Sequence, residues 1–99
     1  MKRIFVNGTF DILHRGHIEM LNYAKSLGDH LTVAIDSDSR VERLKGKDRP
    51  IHSVYDRTFF LQNLKAVDTV LTFDSDLDLE HALKIKISIG RNKLAIGLI

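Results

Sequence analysis

The sequence has no cysteine among its 99 residues, so disulfide bonds and thiolate metal sites are excluded. No apolar run approaches the roughly 20 residues that span a bilayer, and no membrane partner is expected. The N-terminal MKRIF lacks the long apolar region of a signal peptide, which favours the cytoplasm as the compartment. A net charge of only +2 gives no reason to expect a nucleic-acid partner.

What is present is typical of one globular domain covering residues 1–99, with 43% apolar and 28% charged residues. Charge is concentrated in two segments. RVERLKGKDR, residues 40–49, contains five basic residues and is a candidate phosphate-facing loop. DSDLDLE, residues 74–80, contains four acids. It is either a solvated turn and helix start, where acids are favourable, or a site for Mg²⁺.

Short apolar strands alternate with helical patterns along the chain. Strands are predicted at 3–7, 31–35 and 69–73, and helices at 17–27, at 38–44, from Ser53 onward and at 78–85. Gly28 is placed to end the first helix, and Ser53 with Asp56 predicts a capping box. The apolar faces of the two long helices are predicted to be Met20, Leu21, Ala24 and Leu27, and Phe60, Leu61 and Leu64. Residues 45–52 must form a loop, and IKISI at 85–89 alternates like a fourth strand. This order predicts an α/β fold with a parallel sheet.

The stretch FVNGTFDILHRGHIEML, residues 5–21, contains the strongest functional signal. It joins strand 1 to a helix start, at the sheet edge where α/β proteins bind ligands. Gly8 permits unusual backbone conformations, and His14 and His17 are spaced to face the same way with Gly16 between them. A helix N-terminus adds free N–H groups, so the pattern predicts an anion site with two imidazole donors. Zinc fits less well, because no third ligand stands near.

The segments GTFDILHRGH, AKSLGDHLTVAIDSD, LKGKDRPI and DRTFFLQNLKAVDTV together resemble the cytidylyltransferase-like nucleotidyltransferases with the HxGH motif. This family includes glycerol-3-phosphate cytidylyltransferase and a heptose-1-phosphate adenylyltransferase. The resemblance covers residues 3 to about 73 and implies a Rossmann-like, three-layer αβα sandwich of the HUP type. It also implies transfer of CMP or AMP from CTP or ATP to a phosphorylated polyol or sugar, of the glycerol-3-phosphate or heptose-1-phosphate type, with release of pyrophosphate. Mg²⁺ bound through the phosphates, without direct protein ligands, and a homodimer are further implications.

The resemblance also assigns roles to residues. His14 and His17 would donate hydrogen bonds to the triphosphate and the transition state, and Lys45 would be the third catalytic residue. The nucleotide-binding residues would be Gly8, Thr9, Phe10, Asp11 and Gly16, with the Thr9 side chain and the Phe10 amide on the phosphates. Asp11 either orients a histidine or pins its own turn. Lys45 has a solvated surface lysine as its alternative.

Four further residues are possible substrate contacts: Asp38, Lys47, Arg49 and Arg57. The two arginines either contact phosphates or pair with the neighbouring acids Asp48 and Asp56. Asp36 and Asp38 end strand 2 at the same sheet edge. They either touch a ribose or the acceptor, or Asp38 caps the next helix.

The tail at 84–99 lacks the family's Ile-Ser-Thr-Thr type motif, which follows a late arginine in the family and would bind the β- and γ-phosphates from the opposite side. We therefore expect either a C-terminally shortened member with half of the site or a tail that supplies cations differently. A catalytically weak or inactive nucleotide-binding module is the alternative function. A dinucleotide-binding domain is disfavoured, because no G-x-G-x-x-G loop is present.

Overall fold

The computed structural model describes residues 2–89 and 92–97, with side chains described for residues 2–84. Strands and helices alternate along this part of the chain. The strands are β1 (Lys2–Gly8), β2 (His30–Asp36), β3 (Thr69–Phe73) and β4 (Asn92–Gly97). The helices are α1 (Arg15–Ser26), α2 (Asp38–Lys45), α3 (Val54–Gln62) and α4 (Asp76–Ile89). No helix in the described residues is both long and apolar enough to cross a membrane.

The four strands form one parallel sheet in the order β3-β2-β1-β4. The chain moves from β1 outward through β2 to β3 and then returns to the other side of β1. The direction of winding therefore reverses between β1 and β4, and ligands of such sheets bind at this switch point, beyond the carboxyl ends of the strands. The loop that leaves β1 at Gly8, opposite Ile35, lies at that end of the sheet.

Two apolar cores cover the two faces of the sheet, because successive strand side chains point to opposite faces. The larger core joins β1 and β2 to α1 and α3 and includes Ile4, Val6, Val33, Leu21 and Leu61. The smaller core joins Phe5, Ala34 and Phe73 to Leu79, Ala82 and Leu83 of α4. Helices thus lie on both sides of a parallel sheet, which confirms the predicted Rossmann-like αβα sandwich.

Helix α1 buries the predicted stripe. Leu21 and Ala24 are fully buried, and Met20 and Leu27 pack against the same core. Gly28 follows the C-cap, Leu27, as predicted, but glycine is required there because a larger residue would not fit. A Cβ there would lie 2.8 Å from both the Lys2 carbonyl oxygen and a side-chain carbon of Ile4.

Two predictions about the later helices are wrong. In α3, Leu61 is buried but Phe60 is 40% exposed, and its ring meets the His52 ring edge-on. In α4, the backbone of IKISI at 85–89 continues the helix, and the fourth strand is Asn92–Gly97. Helix α4 starts well before this segment, where the Asp78 N–H donates to Ser75 Oγ, and its earlier side chains pack on the sheet. This tertiary packing overrides the local alternation of apolar and polar residues at 85–89. The Ser53 half of the predicted capping box is present, since Ser53 Oγ accepts from Asp56 N–H.

Candidate active site

Two histidines start helix α1 and form its capping box. His14 is the N-cap, and its ring Nδ1 accepts a hydrogen bond from the Gly16 N–H at 3.0 Å. His17 reaches back, and its Nδ1 accepts from the His14 N–H at 3.3 Å. The ring centroids are 4.0 Å apart, and the planes are tilted by 32°. The structure therefore brings the two imidazoles together at a helix N-terminus, where an anion is favoured.

His17 lies deeper than His14, which is exposed to solvent. The His17 ring is 5.2 Å from the ring of Phe10, centroid to centroid. Burial lowers the pKa of His17 below its usual value, and the neighbouring charge of His14 lowers this pKa further. The lowered pKa favours the neutral form of His17, and a neutral imidazole offers one N–H donor and one acceptor.

The turn between β1 and α1 brings Phe10 into a left-handed conformation, with φ of 51°. Such a φ is uncommon for a residue with a large side chain, and it marks a turn fixed by its surroundings. Its amide N–H has no hydrogen-bond acceptor within the described residues. Phe10 is otherwise buried, with 5% of its surface exposed.

Thr9 was expected to hold phosphate with its hydroxyl, but the structure gives that hydroxyl another partner. Thr9 Oγ1 donates to Asp36 Oδ2 at 2.8 Å, and both residues are buried. The other oxygen of Asp36 accepts from Arg40 Nε at 2.9 Å. Because a hydroxyl has a single hydrogen, Thr9 has no side-chain donor left for a ligand. Asp36 links the turn after β1 to α2, and its contact with a ribose or the acceptor stays a prediction.

Asp11 does neither of the two things expected of it. Its carboxylate accepts from the backbone N–H groups of Ile51 and His52, each at 2.9 Å, and from Arg49 Nε at 2.7 Å. Burial alone would raise the pKa of Asp11. The two backbone N–H groups and the hydrogen bond and charge of Arg49 outweigh burial and hold that pKa below its usual value. Asp11 thus anchors the loop between α2 and α3, residues 46–53 (the basic loop), to the turn after β1.

Arg57 is the most buried of the predicted contact residues, with 1% of its surface exposed. The expected ion pair with Asp56 is wrong. The guanidinium donates at 2.8–3.0 Å to the carbonyls of Thr9, Asp36 and His52 and to the carboxylate of Asp38. Arg57 ties the ends of β1 and β2 to the basic loop and to α2. Its side chain has no exposed surface with which to meet a substrate.

Two more predicted residues, Asp38 and Arg49, are placed by these contacts. The cap interpretation of Asp38 is wrong, because Ser37 is the N-cap of α2 and accepts from Arg40 N–H. Asp38 occupies the first helical position and remains 44% exposed, so its contact with a substrate stays a prediction. Arg49 pairs with Asp11 and not with the expected Asp48, and its side chain is 37% exposed.

Lys45 and Lys47 flank Gly46, whose φ of 108° turns the chain out of α2. Both lysines are exposed, and the side chain of neither makes a hydrogen bond or ion pair with a predicted site residue in the part of the chain described here. Their roles at the phosphates stay predictions. Gly8 is buried at the end of β1, and Gly16 is exposed between the histidines.

The acidic segment is a helix start, as the first of its two interpretations predicted. Asp74 accepts from the hydroxyls of Ser37 and Ser39, and its carbonyl accepts from Arg43. The Ser37 and Ser39 hydrogen bonds lower the pKa of Asp74. No cluster of three metal-binding side chains occurs in the described part of the chain.

The sequence patterns did not predict the buried hydrogen bonds that Arg57 and Asp36 make. Their partners lie 19–48 residues away in sequence, apart from the nearby His52 and Arg40. The available signal was the position of Asp36 at the end of a fully apolar strand, where a carboxylate needs a buried partner.

The sequence and the fold of this chain are similar to those of known proteins. The bifunctional protein HldE of a Nitratiruptor species is 52% identical over 77 residues, which are 78% of this chain and 17% of that protein. HldE of Helicobacter hepaticus is 47% identical over 85 residues, 86% of this chain and 18% of that protein. The chain therefore spans less than a fifth of the length of these curated relatives.

A crystal structure of the lipopolysaccharide core biosynthesis protein from Thermoplasma volcanium GSS1 superposes with a TM-score of 0.69 at 28% identity, covering 100% of this chain and 97% of that one. The family described as cytidylyltransferase-like matches residues 5–98, which extends beyond the motifs quoted above. With its αβα sandwich and paired histidines after β1, the chain belongs to the cytidylyltransferase-like family.

Proposed function

We propose that this chain is a nucleotidyltransferase that moves a nucleoside monophosphate from CTP or ATP to a phosphorylated sugar or polyol and releases pyrophosphate. The observation that carries the proposal is the pair of imidazoles, 4.0 Å apart, at the N-terminus of α1 and at the switch point of the sheet. Family membership supports the same chemistry.

The proposed reaction needs positioned donors and no protein nucleophile. A phosphate oxygen of the acceptor attacks the α-phosphorus in line, and pyrophosphate leaves with the bonding electron pair. His14 and His17 would donate N–H hydrogen bonds to phosphoryl oxygens whose charge grows in the transition state, and the amide of Phe10 would add a third donor. Losing one such donor costs on the order of 10²–10³ in rate. Lys45, at the C-terminal end of α2, would neutralise phosphate charge.

Mg²⁺ would enter with the nucleotide. The buried carboxylates at this edge, Asp11 and Asp36, are occupied by Arg49, Arg40 and neighbouring donors. The described residues therefore fit a metal carried by phosphates better than one held by a protein cage, and magnesium commonly binds in that way. Its contribution would be to neutralise the charge of the triphosphate.

A sugar phosphate and ATP are the favoured substrate pair. The support is the structural neighbour, which is named as a protein of lipopolysaccharide core biosynthesis, and the resemblance of LKGKDRPI to the heptose-phosphate type of loop. Glycerol 3-phosphate with CTP is the competing pair. A nucleoside triphosphate donor implies the cytoplasm as the place of action.

A nucleotide-binding module with little or no turnover is the second candidate. It is favoured by the tail at 84–99, which has no Ser-Thr pair for the far side of a triphosphate.

Calorimetry with ATP and CTP, with and without Mg²⁺, tests the binding shared by both candidates. Pyrophosphate release with heptose 1-phosphate or glycerol 3-phosphate separates the two. His17→Ala should abolish most nucleotide binding, whereas His81→Ala, an exposed histidine on α4, is the matched control and should bind normally. If neither nucleotide binds the wild-type chain, both candidates are wrong. Binding without pyrophosphate release selects the module.

We also propose a homodimer. The support is an apolar row on and before α3, where Ile51, Tyr55 and Phe59 lie four residues apart and are 58%, 83% and 63% exposed. Exposed apolar surface of this kind favours association. Light scattering should give the mass of a dimer for the wild type and of a monomer for Tyr55→Ser/Phe59→Ser. Tyr23→Ser on α1, where the tyrosine is 64% exposed, should stay dimeric. A monomeric wild type would refute the proposal.

A further inference from the structure

The hydrogen bonds of the capping box decide where each histidine carries its proton. The Nδ1 atoms of His14 and His17 both accept from backbone N–H groups. A ring nitrogen accepts only when it carries no hydrogen, so the hydrogen of a neutral ring must be on Nε2. An unconstrained imidazole in water has no such restriction and can carry it on either nitrogen.

We propose that the start of α1 is a tautomer lock, in which Gly16 is a positioning residue that keeps both imidazoles as Nε2–H donors. The helix uses one side of each ring, through Nδ1, for its own capping. The N–H on the other ring nitrogen is thereby left for an anion. The role of the lock in binding an anion rests on the proposed function, whereas the assignment of the tautomers rests on the hydrogen bonds alone.

Gly16 is needed because the His14 ring folds back over the Gly16 amide. A Cβ on Gly16 would lie 2.8 Å from His14 Cε1 and 3.1 Å from His14 Nδ1, closer than carbon atoms normally approach. The ring would have to move, and the 3.0 Å bond from Gly16 N–H to Nδ1 would be lost. The cap from His14 N–H to His17 involves only the His14 backbone, so it should survive.

Long-range ¹H–¹⁵N correlation spectra of histidine-labelled protein identify the tautomers directly. They are best recorded near pH 8, above the ordinary histidine pKa of about 6.5. Wild-type His14 and His17 should both show the Nε2–H pattern alone, and the exposed His81 should show a mixture as the internal control. In Gly16→Ala, His14 should become mixed while His17 is unchanged. An Nδ1–H pattern at either ring of the wild type, or an unaltered His14 in Gly16→Ala, would overturn the proposal.

A double-mutant comparison covers the case in which Gly16→Ala folds poorly. Alanine is a better helix former than glycine, so Gly16→Ala should raise the melting temperature once the ring has been removed by His14→Asn. In the wild-type background the same change should lower it. A rise in both backgrounds would also refute the steric argument.

Nucleotide binding then separates this proposal from the proposed function. Gly16→Ala should weaken ATP binding by about tenfold or more, because one donor to a charged group is misplaced. Locked tautomers in a chain that binds no nucleotide would leave the lock standing and remove the proposed function. Tight ATP binding by a protein whose rings carry the hydrogen on Nδ1 would refute the lock and leave the proposed function standing.

Discussion

Replacing Arg57 with methionine tests how the ends of two strands are held together. The variant keeps most of the side-chain volume but removes every N–H donor of the guanidinium. Four acceptors then lose their partner: the carbonyls of Thr9, Asp36 and His52 and the carboxylate of Asp38. The bonds to Thr9 and Asp36 are buried, and those to His52 and Asp38 are partly buried.

The expected loss follows from these burials. A buried acceptor left without a donor costs about 1–3 kcal/mol. Two carbonyls carry that cost in full, whereas His52 and the 44% exposed Asp38 can recover hydrogen bonds to water. We therefore expect the free energy of unfolding to fall by about 3–5 kcal/mol, which is a large share of the about 5–15 kcal/mol of a typical domain.

Urea unfolding followed by circular dichroism measures this difference. Arg57→Lys keeps the charge but has fewer donors and a different geometry, so its loss should be intermediate. Arg15→Met is the matched control. Among the described residues Arg15 pairs only with Glu19, on the surface of α1, and its removal should change stability by less than about 0.5 kcal/mol. A loss below about 1 kcal/mol for Arg57→Met, or one equal to the control, would refute the reasoning.

Three further changes test other parts of the structure. Because hydrogen bonds hold the pKa of Asp11 below its ordinary value of 3.8, its contribution to stability is present above that pH and is lost as pH falls through the lowered pKa. Asp11→Asn should therefore lower the free energy of unfolding by about 2–4 kcal/mol at neutral pH. As the pH is lowered, the stability of the variant should fall less steeply than that of the wild type; an equally steep fall would contradict this. His17 should titrate below 6.5 by NMR, and His14→Ala should move its midpoint only part of the way back, because burial remains. A midpoint at or above 6.5 in the wild type would be inconsistent with the structure. Gly28→Ala should lower the unfolding free energy by about 1–3 kcal/mol, because its Cβ meets the Lys2 carbonyl oxygen at 2.8 Å; thermal melts that match the wild type would count against this crowding.

Most of the fold could be read from the sequence because its signals are local. Continuous β-branched runs marked the buried strands, and the spacing of Leu21 and Ala24 marked the buried stripe of α1. The wrong prediction of a strand at 85–89 also came from a local signal. Five alternating residues match a strand pattern but carry no information about the helix that precedes them.

The site could be predicted only in part. His14 and His17 are three residues apart, so their proximity was visible in the sequence. The partners of Asp11 are 38–41 residues away, and the Thr9 carbonyl is 48 residues from Arg57. Charges were therefore paired with their sequence neighbours, Asp48 and Asp56, although burial at the sheet edge pairs them across the fold.

These contacts divide the polar groups at the sheet edge into two sets. The hydroxyl of Thr9 and the carboxylates of Asp11 and Asp36 point into the protein, where each has a partner. The Phe10 amide and one side of each histidine ring have no internal partner in the described residues. Carboxylates turned toward a triphosphate would repel it, and here arginine or hydroxyl donors neutralise them. The acids of this loop thus serve an anion site best as structural anchors, because their internal partners keep the carboxylates away from the ligand that the Phe10 amide and the histidine rings face.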